Sequence, residues 1–575
     1  MATLAGRRLT GPNLYADGPG AIVQVDADPG DDVAALLAAA RQRLREGLGE
    51  LGWEGAIEVR VWASGHGGEL MVEAPFFRLY ATVALAQWAF GELDPDATTL
   101  GAIRAQAEEE AALRRGAFAM AARADAEGVH WRVDDDELSI GRGPCALTWP
   151  LAQVPEPDAI DWAARRTKVP VALVTGTNGK TTCARLLSRM AKQAGARVGN
   201  TSTDGIAVDE VIVDAGDWTG PGGARAVLRR PDVDFAVLEV ARGGILRRGL
   251  GVRSADAALV TNVSRDHLGE WGVDNLAELA AAKGVVTRVV APTGRIVLGA
   301  DSPPVVAWAR DRSLPAPVVW FSVDHANPVL VVHRASGGEV CTVVDGNVTW
   351  GIGEGAQALF AVADAPLCFG GRATHNVANV LACVAMARAL GIPDAAIVSA
   401  ATSFGAAADD NPGRARVWSI PKAGGEVTLF LDFAHNVAGI TAIADLVRAG
   451  DRDVVLSFGM AGDRSDADLR DLGIALSAFA PRIAVLRDQA AYLRGRELGE
   501  VPRLVAEGLH TRLPDLPIHR TADEASALTT ALAQAHPGEL IVFLAHLERA
   551  PVAAWLHEHG ASAAPSPLVP ATTVG

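Results

Sequence analysis

The residues best suited to chemistry stand in one short stretch, Thr175-Gly-Thr-Asn-Gly-Lys-Thr-Thr182. The apolar, β-branched run over 169–174 predicts a buried strand before this stretch, and amphipathic spacing predicts a helix after it. A glycine-bearing turn between a strand and a helix points backbone N–H groups and the helix N-terminus at a phosphate. In such a turn Lys180 would reach the terminal phosphates, and the Thr181 hydroxyl would ligate Mg²⁺. The stretch therefore predicts a phosphate-binding loop.

One position departs from the general nucleotide-loop pattern. That pattern has a glycine six residues before the lysine, and Val174 stands there in this chain. The alternative is a glycine-rich turn between strand and helix that binds no ligand. The adjacent pair Lys180 and Thr181 favours phosphate binding over that alternative.

Composition restricts the class of protein. A chain of 575 residues is expected to form about three or four domains. Its 49% hydrophobic and 21% charged residues indicate a globular protein with buried cores. A net charge of −16 argues against nucleic acid as a partner. Five cysteines without a CxxC pair, no signal peptide and no long apolar run predict a soluble, cytoplasmic protein without a membrane partner.

The order of predicted elements divides the chain into four parts. Residues 1–163 read as a small α+β domain with no recognisable catalytic cluster. Residues 164–410 alternate strands and helices, which predicts a doubly wound, mostly parallel α/β sheet. Residues 411–560, beyond a turn-rich hinge, predict a second, Rossmann-like α/β domain. Residues 561–575 predict a disordered tail.

Two segments carry finer predictions about structure. The Ala/Glu/Arg-rich segment over 97–126 predicts helix. The segment over 318–350 alternates short β runs with turns, which predicts a small meander appended to the central sheet.

Polar residues follow the predicted central strands, where doubly wound sheets place their ligands. Glu239 ends one strand, and its carboxylate would suit Mg²⁺ together with Thr181. Asp266 and His267 follow the next strand and could ligate or orient a second metal. The alternatives are a solvated acid at a strand end and a structural histidine.

A scarce amine lies on the helix that follows. The chain has five lysines, and every other basic residue apart from histidine is arginine. Lys283 reads either as a surface lysine or as a group whose amine must be neutralisable, a property that arginine lacks.

Several phrases occur in one order along the chain and carry a family resemblance. They are Thr175-Gly-Thr-Asn-Gly-Lys-Thr-Thr182, Leu238-Glu-Val-Ala-Arg-Gly-Gly244, Asp266-His-Leu-Gly269, Thr374-His-Asn-Val-Ala-Asn379, Asp432-Phe-Ala-His-Asn436 and Gly462-Asp-Arg464. With them, residues 165–550 resemble the Mur-ligase-like half of cyanophycin synthetases. The opening Arg7-Arg-Leu-Thr-Gly-Pro-Asn-Leu-Tyr15 resembles the N-terminal domain of the same synthetases. Those enzymes have an ATP-grasp domain between the two regions, and here one follows the other directly.

The resemblance implies an ATP-dependent carboxylate–amine ligase that works through an acyl phosphate. The enzyme would join an amino acid or amine to a carboxyl group of an amino acid or acidic peptide. ATP and Mg²⁺ would be its cofactors, Lys283 would be carbamylated, and the chain would form a homo-oligomer, a dimer or tetramer. The alternative is a non-catalytic peptide- or polymer-binding partner of a separate ligase that retains the ATP-binding fold.

The motif and the resemblance together imply roles for named residues. Catalysis would involve Lys180, Glu239, His267 and Lys283, and the metal ligands would be Thr181, Glu239, His267 and Lys283. Nucleotide contacts would come from Thr177, Asn178, Gly179, Lys180, Thr181, Thr182, Asn376, Asn379, Arg414 and Asp432. Among these, Asn376 and Asn379 would lie near the adenine, Arg414 at the phosphates and Asp432 at the ribose. Substrate contacts would come from Arg242, Arg247, Arg248, Asp266, His435 and Asn436. The three arginines are candidates because guanidinium binds carboxylate bidentately, and ordinary surface arginines are the alternative.

Overall fold

A computed structural model of the chain describes most of its residues. These are 3–28, 30–93, 98–310, 312–353, 355–407, 409–448, 452–544 and 548–564. Most of the tail predicted to be disordered, from 565 onward, lies outside the described residues. Its first residues are ordered, because Ser562–Ala563 pairs as a strand with the sheet of the C-terminal part. No helix in the described ranges is both long and apolar enough to cross a membrane.

The first part of the chain mixes strands and helices, as predicted. Its strands are β1 (Thr3–Leu9), β2 (Gly20–Asp26), β3 (Ile57–Val61), β4 (Gly67–Glu73), β5 (Trp131–Val133), β6 (Glu137–Ile140) and β7 (Leu147–Pro150). Its helices are α1 (Val33–Leu51), α2 (Leu79–Trp88), α3 (Leu100–Leu113) and α4 (Arg115–Ala126). Within the described residues, β1-β2-β4-β3 form one antiparallel sheet and β5-β6-β7 another. The second sheet and β1 were not predicted from the sequence.

Local sequence sets the ends of these helices. Asp32 caps α1 by accepting a hydrogen bond from the Ala35 N–H, and Gly52 ends α1 in the left-handed region at φ 69°. The helical segment predicted over 97–126 is two helices, because Arg114 leaves helical geometry at φ −106°. Arg114 is buried and lies over the ring of Phe76. Tertiary packing of this arginine therefore accompanies the break.

The central part forms one large sheet. Its strands are β8 (Val171–Thr175), β9 (Val198–Ser202), β10 (Gly205–Val208), β11 (Val211–Ala215), β12 (Phe235–Glu239), β13 (Ala255–Val260), β14 (Val290–Gly299), β15 (Val318–Ser322), β16 (Glu339–Val344), β17 (Asn347–Ile352) and β18 (Gly355–Ala361). Its helices are α5 (Lys180–Gln193), α6 (Pro221–Arg229), α7 (Arg242–Arg248), α8 (Leu276–Gly284), α9 (Pro303–Arg310), α10 (Pro328–Ala335), α11 (Thr374–Ala389) and α12 (Asp394–Ser403). In the described ranges the strand order is β11-β10-β9-β12-β8-β13-β14-β15-β16-β17-β18, parallel from β9 to β16 and antiparallel at both ends.

Helices cover both faces of the parallel strands. α5 and α11 pack on one face, and α6, α7 and α8 pack on the other. Strands covered on both faces are apolar throughout, which explains the continuous hydrophobic runs of β8 and β12. The predicted appended meander is wrong in part. β15 is a parallel member of the main sheet, α10 follows it, and β16, β17 and β18 extend the same sheet.

The C-terminal part is a second α/β unit, as predicted. Its strands are β19 (Arg416–Lys422), β20 (Gly425–Asp432), β21 (Val454–Gly459), β22 (Ile483–Arg487), β23 (Ile518–Thr521), β24 (Leu540–Leu544) and β25 (Ser562–Ala563). Its helices are α13 (Val437–Arg448), α14 (Asp466–Leu476), α15 (Glu500–Arg512), α16 (Glu524–Gln534) and α17 (Arg549–Glu558). Among the described residues the strand order is β23-β22-β21-β24-β20-β19-β25, with parallel pairing from β23 to β20. The sequence missed the strands β19, β23 and β25.

Candidate active site

The glycine-rich loop lies between β8 and α5, as the sequence predicted. Gly179 has φ 86°, and a Cβ built on it would lie 2.2 Å from Asn379 Oδ1. The neighbouring strand end holds the loop: Thr261 Oγ1 donates to the Asn178 carbonyl at 2.7 Å, and the Asn178 N–H donates to Asn262 Oδ1 at 3.0 Å. The positive φ of residue 179 and the close approach of Asn379 both favour glycine at that position. The loop opens directly into the N-terminus of α5, which favours an anion.

Two lysine side chains converge on this loop. Lys180 Nζ donates to the Thr177 carbonyl at 2.9 Å, and Lys283 Nζ donates to the Gly176 carbonyl at 2.8 Å. Lys283 is only 5% exposed, so the alternative of a surface lysine is wrong. Burial, with the nearby Lys180 charge, holds the pKa of Lys283 well below its usual value. A buried amine with a lowered pKa has a neutral form available at neutral pH.

A buried carboxylate stands beside the start of α5. The Thr181 hydroxyl donates to Glu239 Oε2 at 2.8 Å, and Arg414 Nη2 donates to Thr181 Oγ1 at 3.2 Å. The other carboxylate oxygen, Glu239 Oε1, is buried and has no hydrogen-bond partner in the part of the chain that the structure describes. Burial raises the pKa of Glu239, while Lys180 and Arg414 oppose that rise. An unpartnered buried oxygen beside a hydroxyl is suited to a hard cation, so Thr181 and Glu239 fit Mg²⁺.

The predicted Asp266–His267 pair faces the C-terminal part of the chain. Asp266 forms an ion pair with Arg464 at 2.8 Å. His267 Nδ1 lies 3.1 Å from Glu270 Oε1, and His267 Nε2 lies 3.3 Å from Arg464 Nη2. Burial acts to raise the pKa of Asp266, but His435 and Arg464 outweigh it, and the pKa is lowered. This carboxylate is therefore ionised at neutral pH.

A second group of possible ligands surrounds the histidine. One ligand atom from each of His267, Glu270 and Asp463 lies within 4.8 Å of the others. The sequence analysis predicted His267 and missed Glu270, Asp463 and the neighbouring Arg464. The phrase Gly462-Asp-Arg464 is one of those that carry the family resemblance, so the sequence pointed to these two residues but did not assign them a role. Glu270 follows the histidine by three residues and could have been found from that spacing.

Side chains from the hinge (residues 405–413) and from beyond it contact the phosphate loop. Asn178 and Asn436 exchange two amide hydrogen bonds of 3.2 and 2.9 Å, and Asn411 Nδ2 donates to Thr182 Oγ1 at 3.2 Å. His435 lines a cleft with Asp266, and burial lowers its pKa. The predicted cleft residues His435 and Asn436 thus lie at the junction of the two α/β units.

The hinge itself is tied down. Asp410 Oδ2 accepts the N–H groups of Gly405 and Ala407, each at 2.9 Å. Asp410 Oδ1 accepts a hydrogen bond from Arg189 Nη2 on α5 at 2.8 Å. The turn-rich segment is therefore fixed to the helix that begins at the phosphate loop.

The residues predicted near adenine and ribose are buried and hydrogen-bonded. Asn379 Nδ2 donates to Asn376 Oδ1 at 3.1 Å, beside Gly179. Asp432 accepts the N–H groups of Ala415 and Ala434 at 2.8 and 2.7 Å. Burial raises the pKa of Asp432 to about 6, against those two hydrogen bonds. Both oxygens of Asp432 serve the backbone after the hinge, and its ribose contact stays a prediction.

The three arginines predicted for substrate differ in their surroundings. Arg242 is 8% exposed, pairs with Glu270 and donates to the His267 carbonyl. It therefore positions the segment over 264–275, the histidine loop. Arg247 is exposed, and its Nε donates to the Gly243 carbonyl of its own helix at 3.1 Å. Arg248 is also exposed. Their contact with a substrate carboxylate stays a prediction.

The first part of the chain contacts the same histidine loop through three residues. Arg7 lies over the Trp271 ring at 4.3 Å, and Arg60 Nη2 donates to the Trp271 carbonyl at 3.3 Å. The Ser64 N–H donates to Asp274 Oδ2 at 2.8 Å. The buried Glu69 holds both arginines, at 2.9 Å from Arg7 and 2.8 Å from Arg60.

The fold and the site define a phosphate-loop protein with two α/β units that meet over a carboxylate, two lysines and a histidine. Comparison with known proteins gives the family: the chain belongs to the Mur ligase family. The Mur ligase middle domain matches residues 174–387, and the Mur ligase, glutamate ligase domain matches residues 413–547. The family resemblance and the fold class predicted from the sequence are confirmed.

Named relatives place the chain more closely. Cyanophycin synthetase of Synechocystis sp. is 39% identical over 380 residues, which cover 65% of this chain and 42% of that protein. UDP-N-acetylmuramoylalanine–D-glutamate ligase of Nitrosococcus oceani is 29% identical over 298 residues, covering 51% of this chain and 55% of that protein. The chain thus spans less than half the length of the cyanophycin synthetase that it matches.

A solved structure shows a partial likeness. The bifunctional folylpolyglutamate synthase/dihydrofolate synthase from Yersinia pestis is 18% identical, with a TM-score of 0.48 over 68% of this chain and 90% of that chain. At this identity and score the likeness carries no argument about function.

From the contact of Arg60 with the histidine loop we predict the local stability of that loop. Replacing Arg60 by Ala removes hydrogen bonds to Glu69 and to the Trp271 carbonyl, and charge-assisted bonds contribute about 1.5–3 kcal/mol each. Amide hydrogen exchange over 264–275 should therefore quicken by about tenfold or more. The Arg104→Ala variant, which removes a surface hydrogen bond to the Glu50 carbonyl, is the matched control.

Exchange in the phosphate loop should stay unchanged in both variants, and Arg60→Lys should restore part of the protection. Unaltered exchange over 264–275 in Arg60→Ala would show that the first part of the chain does not hold this loop.

Proposed function

We propose that the chain is an ATP-dependent ligase that joins a carboxylate to an amine and forms an amide. One observation carries the proposal: the buried Glu239 Oε1, which has no hydrogen-bond partner among the described residues, stands beside Thr181 at the first turn of α5. A protein that only retained the fold would have no reason to keep a buried carboxylate oxygen without a partner. When a nucleotide and its cation bind at this loop, Glu239 Oε1 would be a ligand of the cation.

The reaction follows from the groups around the loop. A carboxylate oxygen of the substrate attacks the γ-phosphorus of ATP, the bond to the β–γ bridging oxygen breaks, and ADP and an acyl phosphate result. The amine then attacks the acyl carbon, loses a proton and expels phosphate, which leaves an amide. Lys180 would exchange its contact with the Thr177 carbonyl for the phosphates and stabilise charge on the transferring group.

The cation would be held by residues that already lie in position. Thr181 and Glu239 would bind Mg²⁺, which when bound neutralises charge on the phosphates. His267, with Glu270 and Asp463, would offer a second cation position nearer the C-terminal unit. Arg414, which now donates to Thr181, would turn to the phosphates.

Lys283 would act as a carbamate. Its amine is buried, its pKa is lowered by burial, and it reaches the loop through the Gly176 carbonyl. Reaction of the neutral amine with CO₂ forms a carbamate and releases a proton. The product is an anion that can ligate a cation, and an arginine at this position could not form it.

The substrates are proposed from the cleft and from the relatives. His435, Asn436 and Arg464 line the cleft between the two α/β units, where an amino acid could meet the acyl phosphate. An amino acid joined to a carboxyl group of an acidic peptide is the substrate class that the family resemblance implies. Movement of the C-terminal unit about the 405–413 segment would admit substrates and then exclude water. A dimer or tetramer and a cytoplasmic location are part of the same proposal.

Loss of the loop lysine should abolish turnover. With a panel of amino acids and short acidic peptides, we expect wild-type protein to release phosphate from ATP and form an amide that mass spectrometry identifies. Lys180→Ala should lower the rate at least about 10²- to 10³-fold, because the transferring group loses its cationic partner. Lys192→Ala, on the exposed end of the same helix, is the control and should keep the wild-type rate.

Two results would contradict the ligase proposal. One is substrate-dependent turnover that persists in Lys180→Ala. The other is a wild-type protein that binds peptide but forms no amide with any member of the panel, which would support the non-catalytic alternative.

Carbamylation of Lys283 has its own readout. With ¹³C-bicarbonate, wild-type protein should show a carbamate carbon signal that is absent from Lys283→Arg and present in Lys192→Arg. Turnover of Lys283→Arg should fall by about a hundredfold, since the anionic metal ligand is replaced by a cation that cannot be carbamylated. Equal turnover in Lys283→Arg, or no carbamate signal in wild type, would rule out this role.

A further inference from the structure

A second cavity lies away from the phosphate loop. It has a volume of about 240 Å³ and is open to solvent between the second antiparallel sheet and the central unit. Asp125, residues 128–132 and Arg142 form one wall, and Leu228, Val252 and Arg253 contribute to the other. None of its lining residues belongs to the site described above.

Two arginines in this wall are buried, and neither forms an ion pair with another described residue. Arg132 is 6% exposed and Arg142 is 5% exposed. Arg132 Nη2 donates to the Gly141 carbonyl, and Arg142 Nη2 donates to the Ser254 carbonyl at 2.7 Å. The Nε of each has no hydrogen-bond partner among the residues that the structure describes. Over the same residues, neither guanidinium has a carboxylate oxygen within 4.0 Å.

Carboxylates do lie in this region, but other cations hold them. The pairs are Asp134–Arg229 at 2.9 Å, Asp125–Arg253 at 3.2 Å and Asp256–Lys168 at 2.9 Å. Arg253 also lies over the Trp131 ring at 4.4 Å, which fixes it at the rim of the cavity. Among the described residues neither buried guanidinium forms an ion pair, although the charge of Asp256 also acts on Arg142 and raises its pKa against the effect of burial.

A buried cation without a partner is costly, so its retention needs a reason. Burial lowers the pKa of Arg132 to about 9, with Arg142 and Arg229 adding to the effect, and burial lowers the pKa of Arg142 to about 10. Both groups still carry their charge at neutral pH. Planar guanidinium groups with free N–H donors match carboxylates and tetrahedral oxyanions.

We propose that this cavity is a binding site for a compact anion, a carboxylate or a tetrahedral oxyanion, held between Arg132 and Arg142. The cavity is smaller than the roughly 300–1,000 Å³ of most small-molecule pockets, which restricts the ligand to a small one.

Thermal denaturation of the full chain tests the site. Inorganic phosphate and acetate are titrated separately against wild type, Arg132→Gln, Arg142→Gln and the control Arg123→Gln, whose arginine is an exposed partner of Glu127. At least one of the two anions should raise Tm in wild type and in the control. Its apparent affinity should be about tenfold weaker in Arg132→Gln and Arg142→Gln, since a charge-assisted hydrogen bond is lost. Phosphate also reaches the phosphate loop, but that contribution is common to all four proteins.

Equal anion-dependent shifts in all four proteins, or no shift with either anion in wild type, would overturn the proposal. The relative response of phosphate and acetate identifies the preferred anion class. Wild-type crystals soaked in selenate give a test that does not depend on the variants folding. If phosphate gives the larger Tm shift, an anomalous peak between Arg132 and Arg142 is expected, and the absence of a peak there would also overturn the proposal.

Discussion

The hydrogen bond from Thr181 Oγ1 to Glu239 Oε2 joins the elements on which the rest of the site depends. β8 and β12 are parallel neighbours in register, with Glu239 opposite Val174, so their carboxyl ends meet at one edge of the sheet. This geometry brings an acid from one strand to the first turn of the helix that follows the other. The charges of Lys180 and Arg414 act on this carboxylate, which in turn acts on Lys283, and its second oxygen has no partner in the part of the chain that the structure describes.

The remaining parts of the chain hold loops around that point. Asn436 brings the region beyond the hinge onto the phosphate loop, Asn411 brings the hinge itself there, and Asp410 ties the hinge to α5. From the opposite direction, Arg60 and its neighbours hold the loop that carries His267. The first part of the chain, which shows no catalytic cluster in its sequence, therefore acts on the site by positioning that loop.

Much of this arrangement could be predicted from the sequence, and the reasons for the failures are physical. Apolar runs followed by polar residues located β8, β12 and Glu239 correctly, because burial on both faces of a parallel strand leaves a clear signal. The contacts of Arg464 with Asp266 and His267 could not be predicted, since they join residues almost two hundred positions apart. The burial of Lys283 was likewise hidden, because a short helix does not show which neighbours will cover it. β5, β6 and β7 were missed because three or four residues per strand give too little alternation.

The most direct test of the account is the binding of a cation at Glu239 in the presence of nucleotide. Free Mn²⁺ can be measured by electron paramagnetic resonance while the protein is titrated with a non-hydrolysable ATP analogue. We expect wild-type protein to bind Mn²⁺ with the analogue, and Glu239→Gln to bind the analogue but hold Mn²⁺ at least about tenfold more weakly. An unchanged Mn²⁺ affinity in Glu239→Gln would contradict the claim that this buried oxygen is a cation ligand at the phosphate loop.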